Sequence, residues 1–313
     1  MLTFREDAPI LVIGSAGLDI IGRAGGDLAY GTSNPGRLRY SLGGVARNVA
    51  ENLARLGSEV ALITAVGDDL QGQQLLAQAR EVGINVEACL TVPGEHTGAY
   101  LAILDERGNK HLALDDMRAI DAITPQHIRG CRRLFAEATA VFVDANLPGS
   151  TLTAVLSVAA RTKVPVIADP ASVSLASRLR PHLDALYMIT PNEAEASALC
   201  PHPVPHADRD RALDAARDLV SSGVDVAVIT MAEFGVAYAT PQTSGHVPAV
   251  QTEILDPTGA GDALTAAVIF ALQNAIPLDE AVRLGASAAA LTLRTSGTVV
   301  PGLSLEMLYD ELR

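Results

Sequence analysis

Short apolar runs alternate along this chain with longer segments of helical periodicity, and this alternation restricts the fold more than any other feature. The runs at Ile10–Ile13, 140–143 and 226–229 are continuous in apolar residues and too short for helices. The segment Val45–Leu56 has apolar residues at helical spacing and stops at Gly57, a typical helix terminator. Apolar strands separated by amphipathic helices predict a mainly parallel sheet with helices on both faces. We therefore expect a three-layer α/β/α sandwich.

The remaining predicted elements follow the same pattern. They are strands at 60–66, 164–168 and 186–189, and helices at 70–82, 150–161, 192–199, 208–222 and 263–272. Neither an internal repeat nor a low-complexity linker interrupts them. We therefore expect one domain over residues 1–313.

Two stretches, residues 18–42 and 86–115, depart from this alternation. They contain short segments of period two, such as 99–104 and 110–114, with a turn signal at 106–109 between these two. This pattern is typical of antiparallel strands. We expect a small β-sheet that projects from the main body, as a lid over a cleft, as a dimerisation surface, or as both.

The charge balance limits the partners of the protein. The 36 acidic residues exceed the 23 arginines and lysines, giving a net charge of −13. Nucleic acids and anionic membranes require a basic face, so we expect neither as a partner. No apolar run reaches the ~18 residues that span a bilayer. The first nine residues include charges that are unlike a signal peptide, so we expect a cytoplasmic protein.

The sequence Asp-Pro-Thr-Gly-Ala-Gly-Asp at 256–262 immediately precedes the apolar helix predicted at 263–272. Backbone amides of Gly259, Ala260 and Gly261 would then lie unpaired at a helix N-terminus, where phosphate binds. Asp262 would repel a phosphate, so we interpret it as a general base that takes a proton from an attacking alcohol. The alternative is a glycine-rich turn in which Asp262 only caps the helix.

Other nucleotide-binding fingerprints are missing. Neither Lys110 nor Lys163 follows a glycine, which excludes a P-loop. The glycines at 14 and 17 follow the first strand but lack the spacing of a dinucleotide-binding turn. A dehydrogenase is therefore not expected.

Four motifs in order together resemble the ribokinase (pfkB-type) family of carbohydrate kinases. They are Gly14 with Asp19, the pair Gly43-Gly44 with Asn48, the element Asn192 to Glu195, and the segment 256–262. The resemblance extends over the whole chain and implies a ribokinase-like fold. It also implies that Asp262 is the catalytic base, ionised near neutral pH, with Gly259, Ala260 and Gly261 as an anion hole.

The resemblance further assigns ligand contacts. Acceptor hydroxyls would be bound by Asp19, Gly43, Gly44, Asn48 and Asn146. On the ATP side, the expected residues are Asn192 and Glu195 for Mg²⁺ held through water, Thr230 and Gly235 for the phosphates, and 288–297 for the adenine. Asp256 and Thr258 would supply oxygens to a monovalent cation such as K⁺.

The chain departs from the family pattern at two positions. Ala232 stands where a glycine is common, which puts close backbone approach to the phosphates in question. Pro257 replaces a threonine, and we expect no effect of this change on the anion hole.

Within the family, the chain most resembles the kinases that act on pseudouridine, through segments 33–36, 43–48, 93–97, 115–117 and 122–124. We therefore expect ATP-dependent phosphorylation of the 5′-hydroxyl of pseudouridine, with Asn34, Thr97 or Asp116 as partners of the uracil ring. Ribose, an ordinary nucleoside or a ketose is the alternative acceptor, and a non-catalytic nucleoside-binding regulator is a further alternative. The resemblance also implies a homodimer through the lid sheet.

Overall fold

The computed structural model describes residues 4–5, 7–106 and 110–313. The turn predicted at 106–109 therefore falls almost entirely outside the described residues. None of the helices in the described part of the chain is long and apolar enough to cross a membrane. The assignment of residues 1–313 to one domain stays a prediction.

The strands of the described residues are β1 (Ile10–Ile13), β2 (Gly17–Ala24), β3 (Gly36–Gly43), β4 (Val60–Ile63), β5 (Ala65–Gly67), β6 (Leu90–Val92), β7 (Gly98–Leu104), β8 (Lys110–Asp116), β9 (Ala140–Asp144), β10 (Val166–Asp169), β11 (Met188–Ile189), β12 (Val226–Thr230), β13 (Val236–Ala239) and β14 (Ser244–Val247). The helices are α1 (Val45–Leu56), α2 (Leu70–Glu81), α3 (Pro125–Gly130), α4 (Arg132–Glu137), α5 (Gly149–Thr162), α6 (Val173–Ala176), α7 (Glu193–Leu199), α8 (Arg209–Ser221), α9 (Ala260–Gln273), α10 (Leu278–Leu293) and α11 (Leu305–Asp310). Short 3₁₀ turns occupy Arg118–Ala122, Arg180–Ala185 and Ala232–Phe234.

The central sheet has the strand order β14-β13-β12-β11-β10-β9-β1-β4. The strands from β4 to β12 pair in parallel, and β13 and β14 extend one edge with antiparallel pairing. Parallel strands need crossover connections, which the intervening helices supply. The predicted mainly parallel sheet is confirmed.

Helices cover both faces of this sheet because its strands are apolar on both sides. In β1, Leu11 and Ile13 pack into one core with α3, α4, α5, α7 and α8. Ile10 and Val12 point the other way, into a second core with α1, α2, α9, α10 and α11. Each such fully buried side chain stabilises the fold by about 1.5–3 kcal/mol relative to an exposed one. The predicted three-layer sandwich is confirmed.

The small sheet predicted from residues 18–42 and 86–115 is also present, as a separate four-stranded sheet in the order β3-β2-β7-β8. Three details of the prediction are wrong. The strands were expected to be antiparallel, but β2 and β7 pair in parallel. Residues 90–92 form β6 and pair with β5 rather than joining the small sheet. The strand predicted at 60–66 is divided at Thr64 into β4 and β5, so that the chain can leave the central sheet and pair with β6.

The parallel strands end at a common edge of the central sheet, and α1 and α9 begin there. The backbone amide of Ala46, in the first turn of α1, donates to the carboxylate of Asp144 at the end of β9 (3.1 Å). Clefts at the carboxyl ends of parallel strands are the usual ligand sites of open α/β sheets. The small sheet adjoins this edge, since β2 and β3 lie between β1 and α1 in the chain.

Candidate active site

Asp262 lies in the first turn of α9, and its carboxylate faces α1. The side-chain amide of Asn48 donates to Oδ2 of Asp262 at 2.8 Å. Burial raises the pKa of Asp262 to about 7; the Asn48 hydrogen bond lowers this pKa, and the carboxylates of Asp19, Asp144 and Glu195 raise it. The expectation of a fully ionised carboxylate near neutral pH is therefore corrected. A group with this pKa exchanges its proton near neutrality, where a general base works best.

The glycine-rich turn before Asp262 forms the start of α9, which begins at Ala260, three residues earlier than predicted. Gly259 precedes it with φ of 84°, and a Cβ there would lie 2.3 Å from the carbonyl oxygen of Thr298. The Ala260 amide donates to the Pro257 carbonyl at 3.4 Å. Within the described residues, the amides of Gly259 and Gly261 have no protein acceptor. They remain available to an anion at the helix N-terminus.

Asp19 lies on β2, in the small sheet, and its charge acts on Asp262. It is 6% exposed, and burial raises its pKa to about 6, against the attraction of Arg47. Gly43 allows this carboxylate to approach, because a Cβ on Gly43 would lie 2.3 Å from Oδ2 of Asp19. Gly44 has φ of 94°, and a Cβ there would lie 2.5 Å from Cα of Ala16. Both glycines therefore meet a steric need beside the predicted acceptor site.

Asp144 is a buried carboxylate of this region that the sequence analysis missed. Its Oδ2 accepts hydrogen bonds from the amide and hydroxyl of Ser15, both at 2.7 Å, and its Oδ1 accepts from the amide of Asn146 at 3.0 Å. Asp144 thereby links the turn after β1 to the end of β9 and to the start of α1. An acidic residue that ends an apolar strand was the available signal for it.

Asn146 lies at the edge of the acceptor side, half-buried, and its side-chain amide donates to the Ser15 hydroxyl at 3.2 Å. The three lid residues predicted as uracil partners are engaged within the protein. Asn34 bonds to the backbone of Ala29, Thr97 donates to Asp69 at 2.5 Å, and Asp116 pairs with Arg118 at 2.6 Å. The contacts of Thr97 and Asp116 lie at the end of the small sheet next to Gly17, and those of Asn34 lie in the turn between β2 and β3 at the other end, so none of the three is presented as an open ligand contact.

Asn192 and Glu195 form a capping box at the start of α7. Oδ1 of Asn192 accepts from the Glu195 amide, and Oε2 of Glu195 accepts from the Asn192 amide, each at 2.9 Å. The side chains therefore first serve to begin the helix. Burial raises the pKa of Glu195. The helix predicted from Asn192 begins one residue later, with Asn192 as its N-cap.

Asp169, at the end of β10, was also missed by the sequence analysis. Burial raises its pKa well above the ordinary value, and the charges of Glu195 and Asp262 raise it further. The three carboxylates thus form a local concentration of negative charge between β10, α7 and α9, which fits a divalent cation. The described residues contain no cluster of His, Cys, Asp and Glu arranged as a direct ligand shell. This donor set suits Mg²⁺ that keeps much of its water and is bound together with phosphates.

A cavity of about 490 Å³ opens beside the glycine-rich turn before Asp262 (the amide-rich turn), on the side of α7 and α10. Gly261, Asn192, Thr230 and Gly235 all contribute to its wall. Ala232 also lines it and has φ of 46°, the left-handed conformation in which glycine is common. The backbone therefore keeps the glycine-type turn despite the alanine.

Much of the wall of this cavity is apolar, as is usual for ligand pockets. The predicted adenine segment 288–297 contributes Ala289, Ala290 and Leu293. Further apolar wall residues, which the sequence analysis did not identify, are Val250, Ile254 and Leu264. Two more missed residues, His206 and Glu193, lie at the rim and bond to each other at 2.8 Å.

Both side-chain oxygens of Asp256 have bonding partners within the protein. Oδ1 accepts from the amide and hydroxyl of Thr258 at 3.0 and 2.8 Å, and Oδ2 forms an ion pair with Arg39 of β3. A monovalent cation at Asp256 would have to displace this guanidinium. The arrangement therefore does not fit the predicted K⁺ site.

The chain is similar to known kinases over almost its whole length. It is 34% identical to the pseudouridine kinase of Escherichia coli strain K12, over 96% of this chain and 95% of that protein. It is 29% identical to the guanosine-inosine kinase of Exiguobacterium acetylicum, over 96% and 98% of the two chains.

The fold is shared with a putative ribokinase II from Escherichia coli that was solved in complex with ATP and Mg²⁺. The two structures superpose with a TM-score of 0.83 at 18% identity, covering 97% of this chain and 99% of that one. Residues 7–304 match the profile of the pfkB family carbohydrate kinases, with the acceptor side, the amide-rich turn and Asp262 all inside the matched range. This chain belongs to the pfkB family of carbohydrate kinases.

Proposed function

We propose that this protein transfers the γ-phosphoryl group of ATP to the 5′-hydroxyl of pseudouridine, giving pseudouridine 5′-phosphate and ADP. The observation that carries the proposal is the position of Asp262. Its carboxylate bonds to Asn48 on the acceptor side, and its own helix starts with the open amide of Gly261, which lines the apolar cavity. A base, an anion site and a purine-sized cavity thus adjoin one another, as phosphoryl transfer to an alcohol requires.

In this mechanism the acceptor hydroxyl lies against Asp262. Asp262 takes the hydroxyl proton while the oxygen attacks the γ-phosphorus, and the bond from that phosphorus to the bridging oxygen of ADP breaks. Asn48 holds the carboxylate and favours its ionised form, because its amide can donate but cannot accept at Nδ2. Asp19 would bind ribose hydroxyls of the acceptor, next to Gly43 and Gly44.

The transferring phosphoryl group would lie against the amides of Gly259 and Gly261. These donors are fixed by the start of α9, so they need no reorganisation when charge develops. When bound, Mg²⁺ neutralises phosphate charge, and Asn192 and Glu195 would hold its water ligands. The base of ATP would lie against the apolar wall of the cavity.

The choice of pseudouridine rests on the 34% identity to the Escherichia coli enzyme and on the lid. Strand register places Ser41, Tyr100 and Asp115 on the same face of the small sheet as Asp19. The Ser41 hydroxyl is buried and has no partner among the described residues. This face, rather than Asn34, Thr97 or Asp116, is suited to a hydrogen-bonding ring. The similarity to a guanosine-inosine kinase favours another nucleoside as the alternative acceptor.

An ATP-consumption assay with pseudouridine, uridine, ribose, guanosine and fructose tests this proposal. We expect turnover to be largely confined to pseudouridine. Faster turnover of another acceptor would contradict pseudouridine as the substrate but would support the kinase activity. Nucleoside binding without turnover of any acceptor would favour the regulator.

We also propose that the protein is a cytoplasmic homodimer, in the compartment that supplies ATP, joined through the outer face of the small sheet. This face carries four exposed large side chains: Leu38 (62%), Tyr40 (62%), Leu112 (54%) and Leu114 (60%). Such a contiguous apolar surface is typical of an interaction site. Sedimentation analysis should give a dimer for the wild type and a monomer for Tyr40→Asp with Leu114→Asp. A monomeric wild type would contradict the dimer without affecting the proposed reaction.

A further inference from the structure

Arg39 connects the small sheet to the turn that begins the anion site. It extends from β3 and pairs with Oδ2 of Asp256, although the two residues are 217 positions apart in the chain. The Asp256 side chain is only 6% exposed and the Arg39 side chain is 34% exposed. The carboxylate is therefore largely removed from water, and a buried charge needs a partner, while the guanidinium keeps partial contact with solvent.

Asp256 in turn organises the backbone that precedes the anion site. Its Oδ1 accepts from both the amide and the hydroxyl of Thr258. Thr258 is followed directly by Gly259, whose left-handed conformation places the first turn of α9. The carboxylate of Asp256 therefore holds the shape of this turn. Its negative charge is neutralised by Arg39.

We propose that the guanidinium of Arg39 is the resident cation of this turn, and that it takes the place of the monovalent ion implied by the family resemblance. Because the guanidinium is attached to β3, the turn acquires its counter-charge only when the small sheet is docked. The arrangement thus couples lid position to the anion site without a dissociable ion. The inference holds whichever acceptor is phosphorylated.

Arginine suits this role better than lysine. Its planar guanidinium is always charged and less strongly hydrated than an ammonium group, so it tolerates partial burial beside a carboxylate. Arg39 also acts on the acceptor side. Its charge lowers the pKa of Asp19, whereas the charge of Asp256 raises the pKa of Asp19. One side chain therefore lies between the acceptor carboxylate and the phosphate turn.

The test compares wild type, Arg39→Ala and Arg39→Lys in potassium, sodium and choline chloride at equal ionic strength. Arg37→Ala is the matched control, since it removes an exposed arginine from the same strand. We expect the wild type and the control to give the same melting temperature and turnover in all three salts. In choline we expect Arg39→Ala to have a lower melting temperature, because a buried carboxylate is left unpaired. We expect its turnover to be about 10- to 100-fold lower, because the turn that binds the phosphoryl group is displaced. Potassium should raise both its melting temperature and its turnover, and Arg39→Lys should lie between wild type and Arg39→Ala in choline.

Three results would overturn the proposal. One is a wild-type enzyme that loses turnover and thermal stability when choline replaces potassium. Another is an Arg39→Ala protein that behaves like Arg37→Ala in every salt. The melting temperatures need no acceptor, so they decide the question even if pseudouridine is not the substrate. A folded Arg39→Ala protein that no ion stabilises, alongside a salt-independent Arg39→Lys, would show a purely structural ion pair and also count against it.

Discussion

The side-chain amide of Asn48 lies 2.8 Å from Oδ2 of Asp262 and joins the first long helix to the last motif of the chain. This hydrogen bond lowers the pKa of Asp262, whereas burial raises it to about 7. The proton affinity of the proposed base is thus set by two opposing effects that can be varied separately.

Replacement of Asp262 by asparagine should abolish the base and leave ligand binding intact. We expect kcat to fall by about 10²- to 10⁴-fold, the usual contribution of a general base. Calorimetric titration should still detect nucleoside and nucleotide. Asp279→Asn is the matched control, because Asp279 is an exposed first-turn acid of α10, and it should keep full turnover. An active Asp262→Asn enzyme would show that Asp262 is not the base.

The pH dependence of kcat/KM should have an acid limb near 7, because Asp262 must lose its proton to act and its pKa is raised to about 7. Activity should therefore rise from pH 5 to pH 8. Asn48→Ala removes the hydrogen bond that lowers this pKa, so the limb should move to higher pH. A limb that stays in place, despite normal folding, would assign it to another group such as Asp19, whose pKa is about 6.

Asp262→Asn should also stabilise the fold at neutral pH. The pKa of Asp262 is raised from 3.8 to about 7 in the folded state, so its stabilising effect is complete below pH 4 and is lost as pH rises through 7. Asparagine does not ionise and keeps that stability. We expect a gain on the order of 1–2 kcal/mol at pH 8, after allowance for solvent at the cleft, and little gain at pH 4. Urea denaturation at both pH values measures it, and equal gains would contradict this assignment.

Replacement of Gly259 and of Gly261 by alanine, in the glycine-rich turn before Asp262, should have different effects. At Gly259 the backbone has φ of 84° and a Cβ would lie 2.3 Å from a carbonyl oxygen, whereas at Gly261 nothing lies within 4 Å. Gly259→Ala should therefore destabilise the protein by about 1–3 kcal/mol. Gly261→Ala should fold normally and raise KM for ATP, because its methyl group would enter the cavity. Thermal melts and ATP titrations separate the two effects, and equal melting temperatures would contradict the described turn.

Glu195→Gln should raise the Mg²⁺ concentration needed for half-maximal turnover. The amide can still cap α7, since its oxygen can accept from the Asn192 backbone, but it loses one charge from the carboxylate group formed with Asp169 and Asp262. We expect a shift of about 10-fold, typical for loss of an indirect metal contact. Glu306→Gln, an exposed first-turn glutamate of α11, should show none. An unchanged Mg²⁺ requirement would remove Glu195 from the metal site.

The sequence predicted best those elements whose local signals agree with their tertiary setting. Helix α1 has the predicted bounds because its apolar spacing and Gly57, with φ of 102°, act together. The segment 256–262 predicted that a helix follows it, although α9 begins at Ala260, inside the segment, and Asp262 lies in its first turn. The small sheet followed from period-two alternation, although β6 shows the same alternation and pairs elsewhere.

The remaining features depend on contacts between distant parts of the chain. No local pattern shows that Arg39 meets Asp256, or that Asp169 adds its charge to Glu195 and Asp262. The elevated pKa of Asp262 has the same origin, since burial by other elements causes it. For Asn34, composition indicated a polar lid residue, yet its side chain is used within its own turn.

The 214 residues that separate Asn48 from Asp262 have a consequence for biosynthesis. Chains emerge from the ribosome N-terminus first, at about 5–20 residues per second. Asn48 therefore leaves the ribosome some 10–40 s before Asp262, at that rate. A chain that stalls or terminates in this interval carries the amide of Asn48 without the carboxylate it binds, so it lacks the proposed base and cannot phosphorylate an acceptor.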